Sequence, residues 1–207
     1  KACKHQKETA FMEFRTVINT KGISGKLLMH NSKVLMLGSC FSDNMGQRLA
    51  KGMVNVMVNP FGTTYNPFSI ARCVKQMIKA EQVPADELFL SNGVWNCFLF
   101  HSRFSGADMQ STLDAMNASI IAGHEHLSRC SHVFITLGTA YTYSLADCGM
   151  VVNNCHKQPA SIFLRRLRRI DETCAALEET VEALHEFNSD ASIVLTVSPI
   201  RHLADGL

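Results

Sequence analysis

"KVLMLGSCFSDNMGQR" occupies residues 33–48, and its reading decides the fold. An unbroken apolar run, Val34 to Leu37, stops at Gly38-Ser39-Cys40 and gives way to a polar stretch. Continuous apolar runs of this length suit a strand buried on both faces of a sheet. Ser42 and Asp43 are helix-opening residues and predict a helix over roughly 43–51. The stretch is therefore strand, tight turn, helix, with two nucleophile-type side chains, Ser39 and Cys40, on the turn. By spacing alone, a small-residue turn and a catalytic turn both fit.

The strand pattern returns in "VNVMVN" (54–59), "HVFITLG" (132–138) and "ASIVLTVSPIRH" (191–202). Between these runs, "FSIARCVKQMIKA" (68–80), "DMQSTLDAMNASIIAGHEHLSRC" (108–130) and "RIDETCAALEETVEALHEFN" (169–188) carry helical apolar spacing. Four strands, 33–37, 54–58, 132–137 and 192–197, thus alternate with helices. That alternation predicts an α/β fold: a three-layer α/β/α sandwich around a mainly parallel sheet, flavodoxin-like in plan. Residues 87–106 are aromatic-rich about a central Gly and read as a hairpin or a covering insertion. Residues 139–159 read as a long loop with a short hairpin, and "FRTVI" (14–18) as a short edge strand.

In such sheets ligands bind at the carboxyl ends of the strands. Those ends read Gly38-Ser39-Cys40, Asn59-Pro60-Phe61-Gly62, Gly138-Thr139-Ala140 and Ser198-Pro199-Ile200-Arg201-His202, so the site is expected there. A sheet ending with the 192–197 strand leaves a long apolar edge open. The sequence accordingly reads as truncated, with a last strand and helix missing.

Bulk properties narrow the function. The 207 residues suit one domain, taken from Met12 to Leu207, with residues 1–11 a leader or cloning remnant. An apolar content of 46% and a charged content of 18% describe an ordinary globular core. A net charge of +2 argues against nucleic acid as partner. No apolar run approaches the roughly 20 residues of a membrane span, and no secretory signal is visible. The eight cysteines form no CxxC pair, which favours free thiols in a reducing cytoplasm over disulfides or a metal site. The first strand–helix turn lacks both GxGxxG and GxxxxGK[ST], so no phosphate cradle is expected.

A serine at the start of a helix has physical advantages as a nucleophile. Backbone N–H groups there stabilise a developing oxyanion, and Gly38 admits a close substrate. It still requires a histidine base and a group to orient that base.

Five segments, "LGSCFSDNMG", "NPFGTTYNP", "FITLGTAYTY", "NNCHKQP" and "TVSPIRHLADG", together resemble the GSCFA family, with Ser42 in place of the motif's final Ala. The resemblance runs from about Phe14 to the end of the chain. It implies a hydrolase-like fold related to the SGNH, or GDSL, lipases and acetylesterases, of bacterial type and without a cofactor or metal. In that group the serine after the first strand is the nucleophile, which maps onto Ser39. Its own N–H and that of a glycine, here Gly62, serve as oxyanion donors. A further donor, an asparagine in the third block, is absent from Gly138-Thr139-Ala140-Tyr141, and Asn154 is the candidate substitute. On this pattern Ser39 faces the pocket and Cys40 packs against the sheet.

The last block of the group, Asp-x-x-His, occurs nowhere in the 207 residues. The resemblance implies that this acid and base lie beyond Leu207; His202, with Asp205 three residues on, is the rival base, in reversed order. Gly38, Cys40, His101, Gly138, Thr139, His156 and His202 are the expected pocket residues. His101 reads equally as a structural hydrogen-bonded histidine. Cys155-His156-Lys157 is open between a substrate contact and a lone metal pair. His124 and His126 do not share a helix face and read as surface residues. Arg165, Arg166, Arg168 and Arg169 read as a solvated basic face, with anionic-substrate recruitment the alternative. The resemblance implies a serine esterase acting by acyl transfer on a small-molecule or carbohydrate ester, acetyl esters of sugars included. The alternative is a carbohydrate- or metabolite-binding module without the chemistry.

Overall fold

The computed structural model describes residues 27–198. In chain order its elements are β1 (Lys33–Gly38), α1 (Cys40–Lys51), β2 (Asn55–Val58), α2 (Pro67–Lys79), β3 (Leu88–Ser91), β4 (Val94–Cys97) and α3 (Met109–Leu127). They continue with β5 (His132–Leu137), β6 (Tyr141–Leu145), β7 (Val151–Val152), β8 (Phe163–Leu167), α4 (Ile170–Phe187) and β9 (Ser192–Val197). The expected α/β architecture is present: β2-β1-β5-β9 form one parallel sheet.

Register assigns the layers. Leu35 pairs with Met57 and Val133, and these join the core built from α2, α3 and α4 residues such as Ile70, Met77, Ile120 and Leu184. Met36 pairs with Val58, whose side chain meets Gly46 of α1. Side chains alternate across a strand, so α1 covers the opposite face. Burial on both faces explains why Val34, Leu35, Val133 and Ile135 (all 0% exposed) form unbroken apolar runs rather than alternating ones. At β9 the cover thins, with Leu195 and Val197 exposed, as befits the edge of the described sheet.

Helix α1 starts three residues before the expected boundary. Its N-cap is Ser39, whose Oγ accepts the Phe41 N–H (3.3 Å). Ser42 instead turns inward and donates to the Leu37 carbonyl (3.0 Å), so it buries where it was expected to cap. The 87–106 segment contains the expected hairpin: β3 and β4 turn at Asn92-Gly93, with φ of 51° and 76°. Two consecutive positive φ angles define the tight turn that Asn-Gly favours between strands.

The segment expected to be mainly loop holds a second antiparallel sheet, ordered β7-β6-β8. β8 was obscured by its arginines, which the sequence reading assigned to a solvated face. Arg165, Arg166 and Arg169 are exposed as expected, while Arg168 is half-buried, and two of the four also stack on aromatic rings. The Arg165 guanidinium lies 3.6 Å from the Tyr141 ring centre, and that of Arg168 lies 4.6 Å from Phe68. Arg166 and Arg169 do reach solvent, paired with Glu172 and Asp171. The proposed 14–18 strand lies outside the described residues.

Candidate functional site at the sheet switch point

The chain leaves β1 toward β2 on one side and returns through β5 on the other. The carboxyl ends of β1 and β5 therefore flank the point where strand order reverses, where α/β sheets open a crevice. Gly38 is paired with Thr136, and the Ser39 N–H donates to the Thr136 carbonyl (3.2 Å). A loop after β2 crosses both strand ends. Thr64 N–H donates to Gly38 O (3.0 Å), and Gly138 and Thr139 N–H both donate to Tyr65 O (2.8 and 3.0 Å).

A polar network supports the turn from behind. Asn59, 1% exposed and at φ 46°, accepts the Gly38 N–H on Oδ1 (2.8 Å) and donates through Nδ2 to Asp43 (2.9 Å). Thr63 Oγ1 donates to the other Asp43 oxygen (2.9 Å). Arg103 stands 3.9 Å from Asp43 and donates to the Asn59 carbonyl. One asparagine thereby ties strand β1, helix α1 and the crossing loop together, leaving no polar atom of its side chain unused.

Ser39 and Cys40 are arranged opposite to expectation. Ser39 is 2% exposed, whereas Cys40 is exposed. The reason is local: an N-cap side chain bends back over the first turn, while the residue after it projects outward. The expected oxyanion donors are also engaged. Ser39 N–H is held by Thr136, and Gly62 N–H donates to Asn59 O (2.7 Å). The N–H of Cys40, at the first position of α1, has no acceptor within the helix.

Gly62 lies beneath His101, where φ of 85° and the contact with the His101 side chain both require glycine. His101 Nδ1 accepts the Arg103 N–H (3.2 Å), which leaves the proton on Nε2 in the neutral ring. Burial and then the Arg103 charge lower its pKa, against the opposing pull of Asp43. Tyr65 packs on Gly138, and its hydroxyl pKa is raised by burial and then by Cys40 and Asp43. Gly38, Ser39, Gly138 and Thr139 therefore lie at the carboxyl ends of β1 and β5, and Gly62, on the crossing loop, packs against His101.

His156 stands close enough to His101 for the two charges to interact. It is 7% exposed and its Nε2 bonds the carbonyls of Cys97 (2.8 Å) and Phe100 (3.0 Å), pinning the segment after β4. Burial, chiefly, lowers its pKa. Among the described residues no group of three His, Cys, Asp or Glu side chains could hold a metal ion. His124 and His126, expected at the surface, bond the carbonyls of Met77 and Val34 (both 2.9 Å) and tie α3 to α2 and β1. His202 and Asp205 lie outside the described residues.

Asn154 accepts the His156 N–H on Oδ1 (2.8 Å) and lines a cavity of about 610 Å³. Tyr65 and Thr139 belong to its wall as well as to the crevice, while Ser39 does not line it. Sequence reasoning missed the cavity's other wall residues, Tyr141, Tyr143 and Asn153. Their signal was the "TAYTY" and "NNCH" motifs, which marked a resemblance without suggesting a wall.

The fold and this crevice define an α/β protein whose small, polar first turn sits at the sheet's switch point. The chain belongs to the GSCFA family, whose model matches residues 33–207. No curated protein and no solved structure shows significant similarity to it. No helix among the described residues is long and apolar enough to cross a membrane.

Proposed function

We propose that this chain carries the nucleophile of a serine hydrolase that cleaves esters by acyl transfer, with Ser39 as the attacking residue. One observation carries the reading: Ser39 follows the central strand β1 directly, caps the N-terminus of α1 and is bonded to Thr136 of β5, which places it at the sheet's switch point. In the mechanism, a histidine base takes the Ser39 proton and Oγ attacks the ester carbonyl. Negative charge then moves to the carbonyl oxygen. The positive end of α1 and the Cys40 N–H favour it. Collapse expels the alcohol, and water releases the acyl group from Oγ. Small-molecule or carbohydrate esters are the proposed substrates. The free cysteines suit a cytoplasmic setting.

A second reading, a binding module without the chemistry, is favoured by the 2% exposure of Ser39 and by its engaged N–H. A fluorophosphonate probe with peptide-level mass spectrometry separates the two. The hydrolase reading expects an adduct on Ser39 that disappears in Ser39→Ala and persists in Cys40→Ser. No adduct on the wild-type protein, or the same labelling in Ser39→Ala, refutes it.

A further inference from the structure

We infer that the cavity walled by Tyr65, Tyr141, Tyr143, Asn153 and Asn154 is a saccharide subsite. Its volume, about 610 Å³, lies in the range of small-molecule sites and has room for a mono- or disaccharide. Tyr65 and Tyr143 are 41% and 40% exposed, large aromatic faces open within a concave wall. Such faces take the C–H face of a pyranose ring, combining an apolar body with a polar tip.

The polar part of the wall matches hydroxyls. Both the Nδ2 and Oδ1 atoms of Asn153 are buried with no hydrogen-bond partner among the described residues. A carboxamide is donor and acceptor together, as a sugar hydroxyl is, so one group satisfies the other in both directions. The Asn153 backbone is fixed by its N–H bond to Phe98 O (2.8 Å). Only the side chain has to turn into the lumen, and turning relieves an orphaned buried amide.

Other ligand chemistries fit less well. Among the described residues, Val152 is the one aliphatic side chain in the wall, too little for an acyl chain, and no carboxylate lines it to hold a cation. Arg165, the single charged group there among the described residues, stacks over Tyr141 and extends the stacking surface. Tyr65 and Thr139 connect this wall to the crevice of Ser39, so a saccharide seated here presents a substituent toward the turn. As a statement of substrate class the inference rests on the hydrolase reading; as a binding site it stands alone.

Saturation-transfer NMR tests it, with glucose, N-acetylglucosamine, cellobiose, xylobiose and galacturonate as probes. At least one is expected to bind saturably, about tenfold more weakly in Asn153→Ala. Binding should be lost in Tyr143→Ala and unchanged in Ser39→Ala. Circular dichroism checks each variant; where Tyr143→Ala fails to fold, Tyr143→Leu keeps the apolar bulk and removes the ring. Absence of binding by every probe, or equal affinity in the Asn153 and Tyr143 variants, overturns the inference. Saccharide binding without a Ser39 adduct overturns only the hydrolase reading, and an adduct without saccharide binding overturns only the subsite.

Discussion

Replacing Gly38 by alanine tests whether the site turn depends on close backbone approach. Gly38 has φ 129°, a conformation that L residues rarely adopt, and holding such strain costs about 1–3 kcal/mol. An added Cβ stands 2.8 Å from the Thr136 carbonyl carbon and 2.9 Å from its nitrogen, with the oxygen closer still. These are backbone atoms, and they are fixed by the β1–β5 pairing and by the Ser39 N–H. Overpacking against such a neighbour adds about 1–3 kcal/mol. The expected loss is about 2–6 kcal/mol, a large share of the ~5–15 kcal/mol that stabilises a domain. Gly93→Ala is the control: its φ is 76°, but no heavy atom lies within 4 Å, so strain alone costs about 1–2 kcal/mol. Urea unfolding measures both. With a slope of about 2 kcal/mol/M, a 3 kcal/mol loss lowers the midpoint by about 1.5 M. Midpoints that fall equally in the two variants refute the close-approach argument.

Acid should weaken the fold before any carboxylate is protonated. His101, His126 and His156 all have pKa values held below the ordinary 6.5, in each case chiefly by burial. The unfolded chain therefore binds more protons between the folded and unfolded pKa values. This stability is present above pH ~6.5 and is lost as pH falls through the folded values. Thermal melts from pH 7.5 to 5 should show a falling Tm, less steep in His156→Gln; a flat profile contradicts the burial argument. Thiol reactivity should divide by location. In a Cys3→Ser background, Ellman's reagent should modify exposed Cys40, Cys148 and Cys174 quickly. Cys73 and Cys130, buried and with pKa values pushed up to about 12 and about 11, should react only on unfolding. Fast reaction at either buried thiol, or protection of Cys40, contradicts the arrangement at the turn.

The parallel sheet was legible because each of its strands is a local apolar run, and burial on two faces leaves no alternation to misread. Helices α2, α3 and α4 were legible for the same local reason, their apolar spacing. The β6–β8 sheet was not, because its ladder joins segments 24 residues apart in sequence, as in the Thr142–Arg166 pair, and its arginine–tyrosine stacking exists only once they meet. An arginine run by itself carries no sign of whether its stems will find aromatic faces. His124 and His126 were misjudged in the same way, since the carbonyls they bond belong to α2 and β1.

At the turn itself, "LGSCFS" determined that a strand ends, a glycine bends the chain and a small polar residue opens a helix. Those outcomes follow from φ/ψ preference and capping chemistry, which act within a few residues. Which side chain is buried, which N–H groups are already bonded and where a cavity opens depend on groups distant in sequence. Asn59, Thr64 and Thr136 reach Gly38 and Ser39 only when β2 and β5 close on either side of β1. The sequence thus specified the turn, while the tertiary structure buried Ser39, exposed Cys40 and placed the tyrosine-lined cavity beside them.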